Sequence, residues 1–214
     1  MHRQGPRGAK TRLRAAILAV ASLSASAGGL GALLTSCTPT EGYVEIAWAL
    51  IDQGGTALYP DGTLTNTCNF VGLVDSGVDS GVDMQGDPVE TPVTLRFELL
   101  VCDPECDGGC DDPECQVVAP RSFACNTARG SVTVPSSGLD YRFETRVIAE
   151  LDGDPACACA LSTECAQLPG PRDRKVRGGL VTDLQVYQIV LDLDDPTTAS
   201  LDLRTCCELP ESCS

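Results

Sequence analysis

Thirteen cysteines in a chain of 214 residues constrain this fold more than any other feature. Where thiols are oxidised in pairs an odd count leaves one sulfur over. Setting Cys37 aside leaves an even set: Cys68, Cys102, Cys106, Cys110, Cys115, Cys125, Cys157, Cys159, Cys165, Cys206, Cys207 and Cys213. In an oxidising compartment these predict six disulfides, each stabilising the fold by about 2–4 kcal/mol. Sequence leaves the pairing open. Cys206 and Cys207 are neighbours, and bridging them to each other would strain the backbone, so each is expected to find its own partner. No C-x-x-C pair occurs anywhere, which argues against a redox motif or a paired zinc knuckle.

The first 36 residues specify the compartment. Arg3, Arg7, Lys10, Arg12 and Arg14 precede an uncharged run, Ala15 to Leu34, and no acidic residue occurs before Glu41. A basic segment followed by an apolar one is a secretory signal. The run is long enough to span a bilayer, but its serines and glycines make it a poor permanent span. It ends in Leu34-Thr35-Ser36-Cys37. This segment resembles the lipobox of bacterial lipoproteins, an aliphatic residue and two small residues before a cysteine. The resemblance implies a diacylglycerol on the Cys37 sulfur, cleavage between Ser36 and Cys37, and acylation of the new amino group. It implies a protein of the cell envelope, and Thr38, where aspartate commonly signals inner-membrane retention, favours the outer membrane. Without an Arg-Arg pair, ordinary export is expected rather than the twin-arginine route. Each buried methylene contributes about 0.8 kcal/mol, so two or three chains on one residue anchor firmly. The expected organisation is a leader over 1–36, a lipidated cysteine and short tether over 37–42, and one folded domain over 43–214. The part after the leader is similar to predicted bacterial lipoproteins of unassigned role, which lends it no activity.

Period-two alternation predicts strands along that domain. Val44, Ile46, Trp48 and Leu50 fall on one face of "GYVEIAWALI", and Val93, Leu95, Phe97, Leu99 and Val101 on one face of "VTLRFELLV". Tyr141, Phe143, Val147, Ala149 and Leu151 do so in "YRFETRVIAEL". "LQVYQIVLDL" changes phase between Val186 and Tyr187, as a β-bulge would make it. Leu201 and Leu203 mark a last strand, shorter candidates lie near 66–72, 117–124 and 130–135, and no segment has sustained helical periodicity. Short strands punctuated by Gly, Pro and Asp predict an all-β fold, an antiparallel immunoglobulin-like β-sandwich with disulfide-rich loops. Antiparallel pairing is expected because parallel strands need long crossovers, usually helical. "VPSSGLDYRFETRV" resembles the corner of immunoglobulin-like and fibronectin-type-III-like domains, which implies that the Tyr141 hydroxyl bonds back to the upstream chain; the alternative is an ordinary core tyrosine. The repeat "DSGVDSGVD", Asp75 to Asp83, reads as a solvated insertion.

"CDPECDGGCDDPEC", residues 102 to 115, holds four cysteines and six carboxylates. Its prolines and glycine pair exclude a helix. Laid over an EF-hand-type loop, it offers Asp103, Glu105, Asp107, Gly109 (through its carbonyl), Asp111 and Glu114 as Ca²⁺ ligands, with Gly108 at the sharp turn. Glu105 is long for its place, prolines interrupt the loop and no helices flank it. The competing reading is a solvated loop ordered by disulfides alone. Zinc on the four sulfurs is disfavoured by export.

Charge and composition remove several function classes. The leader holds five of 15 basic residues and none of 30 acidic ones, so the remainder carries a formal −20. A nucleic-acid footprint needs the opposite sign. The one basic cluster is Arg172, Arg174, Lys175 and Arg177, read as a charged loop or a dock for an anionic partner. The only histidine is His2, inside the leader, which excludes Ser-His-Asp and Cys-His triads and histidine-held zinc from the domain. The expectation is a lipid-anchored, non-catalytic envelope protein that binds or supports another envelope component. The alternatives are a calcium-dependent adhesion or assembly module and, further off, a hydrolase using a carboxylate pair.

Overall fold

The computed structural model describes residues 39–62, 64, 68–74, 89–210 and 213, all within the unit Cys37–Ser214. The leader, Cys37 and the repeat Asp75–Asp83 lie outside the described residues.

The predicted alternation becomes strands wherever one face can be buried. In chain order they are β1 (Glu41–Asp52), β2 (Ala57–Tyr59), β3 (Asn69–Val74), β4 (Val89–Cys102), β5 (Gln116–Ala124), β6 (Arg129–Pro135), β7 (Asp140–Leu151), β8 (Ala158–Ala160), β9 (Ala166–Gln167), β10 (Arg172–Lys175), β11 (Val181–Leu191) and β12 (Ser200–Asp202). One short helical turn follows, Leu203–Cys206. β1 starts at Glu41, so the strand takes in two residues that the sequence reading assigned to the tether.

Two sheets pack face to face. The first has β1 at its centre, β11 on one side and β6 and β2 in succession on the other, with β9 beyond β11. The second has β4 and β7 at its centre. β3 and β5 lie end to end along the free side of β4, β10 and β8 along that of β7, and β12 lies outside β3. The fold is an all-β sandwich, and most pairings are antiparallel. Two are parallel, β1 with β11 and β12 with β3, where only antiparallel pairing was expected. No helical crossover is needed: the chain between β1 and β11 is the rest of the sandwich.

The core lies where the alternating faces meet. Val44, Ile46, Trp48 and Leu50 of β1 face Val93, Leu95, Phe97, Leu99 and Val101 of β4 and Phe143, Val147, Ala149 and Leu151 of β7, all buried. The Trp48 ring lies 4.7 Å from that of Phe97 across the two sheets and 6.0 Å from that of Phe123. Its indole nitrogen donates to the Cys125 carbonyl at 3.0 Å, so burial leaves no polar atom of the ring unpaired. Burying such a side chain contributes about 1.5–3 kcal/mol.

The phase change in β11 lies slightly upstream of its predicted place. Leu184 and Tyr187 are buried while Val186 points outward, and the register against β1 slips between Glu45 and Ala47. Gln185 takes φ 64°, and its amide donates to the Asp183 carboxylate at 2.6 Å. The extra residue is absorbed there, and a neighbouring carboxylate holds the turn. Tyr141 is half-buried, pairs with Arg174 of β10, and makes no hydroxyl hydrogen bond among the described residues, so the expected corner bond does not form.

Twelve cysteines form six bridges, as expected from their even number. Cys68–Cys125 joins the start of β3 to the end of β5, which abut along β4. Cys102–Cys110 and Cys106–Cys115 tie the acidic loop. Cys157–Cys213, Cys159–Cys207 and Cys165–Cys206 fasten the C-terminal segment beside β8. The adjacent Cys206 and Cys207 take separate partners.

Candidate functional site

The loop 102–115 was the densest chemical motif in the sequence, and its geometry follows from its cysteines. Its backbone is a series of tight turns, with Cys106 N donating to Asp103 O, Gly109 to Cys106, Asp112 to Gly109 and Cys115 to Asp112. Two carboxylates hold these turns: the Asp103 side chain accepts from Glu105 N and the Asp112 side chain from Glu114 N, each at 2.9 Å. Short acidic side chains serve turns in this way. The loop folds back over the outer face of the second sheet, where Leu100, Cys102, Cys110 and Cys115 form a small separate core. Leu100, the apolar residue out of phase in β4, is explained by that cover.

The six offered calcium ligands are not brought together. Asp111 is ion-paired with Arg146 of β7, which also approaches Glu98 at 3.8 Å. The Asp103 carboxylate accepts the Glu105 amide and the Gly109 carbonyl accepts the Asp112 amide, so both are engaged in the loop's own turns. Among the described residues the one group of three candidate ligand atoms within 4.8 Å of one another is Cys102, Cys110 and Glu144, and its two sulfurs are joined to each other. A disulfide sulfur is not a thiolate ligand. What the loop builds is a covalently closed cover on the sheet.

A second candidate was invisible in the sequence. On the outer face of the first sheet a cleft of about 640 Å³ is floored by Ala47 and Ala49 of β1 and walled by Pro60, Arg129, Ser131 and Val186. Its charged groups are Glu45 and Asp183, cross-strand neighbours on β1 and β11, and Arg129 opposite Ala47 on β6. Asp183 already accepts the Gln185 amide. Small residues in the middle of β1 make the hollow, and the bulge turns Val186 out to 55 % exposure at its rim. The only signal in the sequence was the pair of alanines on the face of β1 away from the core.

The basic cluster divides. The Arg172 guanidinium stands over the buried Tyr187 ring, 4.0 Å from its centre, and donates to the Val186 carbonyl. It belongs to the side wall of the sandwich, a cation over an aromatic face. Burial holds the Tyr187 phenol above its ordinary range, partly opposed by Arg172 and Arg174. Arg174, Lys175 and Arg177 are exposed. Among the described residues no helix is long and apolar enough to cross a membrane.

The fold and its bridges define a class: a two-sheet sandwich stapled by disulfides, with an acidic loop covering the outer face of one sheet and a cleft on that of the other. No protein-family model matches the chain, and no curated protein is similar to it.

Proposed function

We propose that this is a lipid-anchored, non-catalytic protein of the bacterial cell envelope, of the outer membrane, whose sandwich serves as a binding or structural module. The observation that carries the reading is the cysteine pairing. Twelve of 13 cysteines bridge among themselves, and the one left over is Cys37, directly after Leu34-Thr35-Ser36. Six bridges suit an exported protein, and a lone sulfur behind a signal sequence suits a lipid rather than a partner thiol. The absence of histidine after the leader and a cleft whose Asp183 is engaged in a turn support binding over catalysis. The outer face of the first sheet, with its cleft, is the surface offered to an envelope partner.

Expression in a bacterium with lipoprotein processing tests the reading. The mature chain should begin at Cys37 and carry the mass of its acyl groups. It should partition into the detergent phase, and Cys37→Ala should move to the aqueous phase. Equal partitioning of the two would sink the anchor.

A further inference from the structure

The end of the sandwich at which the chain enters is unlike the rest of its surface. Pro39 packs against Gly178 and Gly179, which have no side chain to obstruct it. These glycines lie in a tight turn, with Leu180 N donating to Arg177 O and Gly179 at φ 72°, a conformation that favours glycine. The turn is bound to the entering strand through Gly179 N to Glu41 O at 2.8 Å and Tyr43 N to Leu180 O at 3.0 Å. The segment between β6 and β7 joins the same end, with Ser136 N donating to Thr40 O and Ser137 N to Val176 O.

Three stretches far apart in sequence therefore meet beside the point of entry, and they bring exposed apolar groups with them. Among the described residues six large hydrophobics are exposed, and four are here: Tyr43 at 55 %, Leu139 at 65 %, Leu180 at 53 % and Val181 at 58 %. Tyr43 and Val181 are cross-strand partners on one face. Beside them stand the exposed cations Arg174, Lys175 and Arg177, with the acidic Glu41 and Asp140 and, one cross-strand pair further along the same face, Glu45 and Asp183. Scattered single apolar residues need no explanation, but a cluster does. The acidic loop leaves β4 near this end, at Cys102 opposite Arg142, but the Asp111–Arg146 pair holds it back along the outer face of the second sheet.

What covers the cluster follows from where the chain comes from. One residue, Thr38, separates Pro39 from Cys37, a reach of at most about 7 Å. A lipid on Cys37 would therefore bring this end, and no other, to the bilayer. An aromatic residue and aliphatic tips flanked by Lys and Arg is the composition that lodges at a membrane interface, the apolar groups below the headgroups and the cations at the phosphates. We propose that Tyr43, Leu139, Leu180 and Val181, rimmed by Arg174, Lys175 and Arg177, form a bilayer-contacting face that seats the sandwich on the phospholipid surface. The inference rests on the lipid-anchored reading for its proximity. It fixes an orientation as well: β1 rises away from the membrane, contact falls on the side of the first sheet, and the acidic loop stays clear of the headgroups.

Introduced tryptophans test it, because the only native one, Trp48, is 2 % exposed and silent to lipid. The processed protein carrying Leu180→Trp, Leu139→Trp or Gln53→Trp is placed on phosphatidylcholine–phosphatidylglycerol vesicles with brominated acyl chains. Gln53 is the control, exposed in the turn after β1, ten residues or about 33 Å along the strand from Tyr43. Leu180→Trp and Leu139→Trp should each lose roughly half their emission, since an interfacial apolar face sinks about 5–10 Å, while Gln53→Trp keeps its own. If neither is quenched more than Gln53→Trp, the face does not meet lipid and the proposal is overturned. That result would hold also if the end proved to be covered by a protein. The mass of the same preparation reports lipid on Cys37 separately. Should it be absent, vesicles added to the soluble protein make the same comparison, with the same two outcomes.

Discussion

At the scale of single residues, Tyr187 is where fold and titration meet. Its ring is buried under Arg172, and its hydroxyl makes no hydrogen bond among the described residues. Removing an unpaired buried hydroxyl forfeits no bond, so Tyr187→Phe should change stability at neutral pH by less than about 1 kcal/mol. The pH dependence is the sharper readout. Burial raises the phenol's folded-state pKa. The stability attached to that shift is therefore full below the unfolded value, about 10, and is lost as pH rises through the folded value. Urea unfolding between pH 8 and 11 should show the wild type weakening above about pH 10, with the loss reduced in Tyr187→Phe. Parallel curves would mean that the phenol ionises as freely in the folded state as in the unfolded one. Trp48 is the opposite case, since its indole does hold a buried carbonyl. The two aromatics lie in neighbouring strands and read alike in the sequence; only the partner of each polar atom separates them.

At the scale of elements, the loop 102–115 should behave as a cover rather than as part of the main core. Its four-residue cluster, Leu100, Cys102, Cys110 and Cys115, is separate from the core that Trp48 anchors. Cys106 and Cys115 are nine residues apart, and closing so short a loop is worth about 2–3 kcal/mol. The double variant Cys106→Ser/Cys115→Ser should lose about that much stability while its far-UV circular dichroism keeps the wild-type strand signal. Loss of the strand signal in the native-buffer spectrum would show that the loop supports the sandwich directly.

The same loop shows how much of this fold could be read from sequence. Burial along β1, β4 and β7 follows the alternating residues because alternation states which face is dry. Strand partners are not stated by alternation, so the parallel pairing of β1 with β11 was missed. The bulge was visible as a break in phase, but its residue, Gln185, was fixed only by the Asp183 bond. The acidic loop shows the limit of spacing along the chain: its ligand order suits calcium, while in the fold Asp103 and Asp112 hold turns and Asp111 pairs with Arg146. The cleft and the apolar end were illegible for one reason: each is assembled from several strands or stretches, and no local pattern marks their meeting.

At the scale of the whole molecule, the bridges set the order in which the structure can be opened. Three of them bind the segment from Cys206 to Cys213 onto the segment from Cys157 to Cys165, closing separations of 56, 48 and 41 residues. Loop closure of that size constrains the unfolded chain strongly, so these three staples, with Cys68–Cys125 at a separation of 57, outweigh the two short bridges of the acidic loop in the covalent contribution to stability. They are not equally reachable. Reduction requires a thiolate to approach one sulfur in line, so exposure governs the rate under native conditions. Cys157–Cys213 is the one bridge with both residues part-exposed; each of the other five has at least one buried cysteine. Mild reductant without denaturant should therefore release Cys157 and Cys213 first, and differential alkylation with peptide mass mapping should find those two labelled while Cys68, Cys125, Cys165 and Cys206 stay bridged. The remaining staples would still hold the C-terminal segment, so the melting transition should shift only modestly at that stage. It should fall steeply when Cys165–Cys206 opens, because that bridge is buried beside Leu161 and Ala166 and cannot be reached until the edge of the sandwich parts. Simultaneous labelling of all twelve cysteines at the lowest reductant concentration would instead mean that the sandwich opens globally before any bridge yields, and that its noncovalent core is weaker than its packing implies.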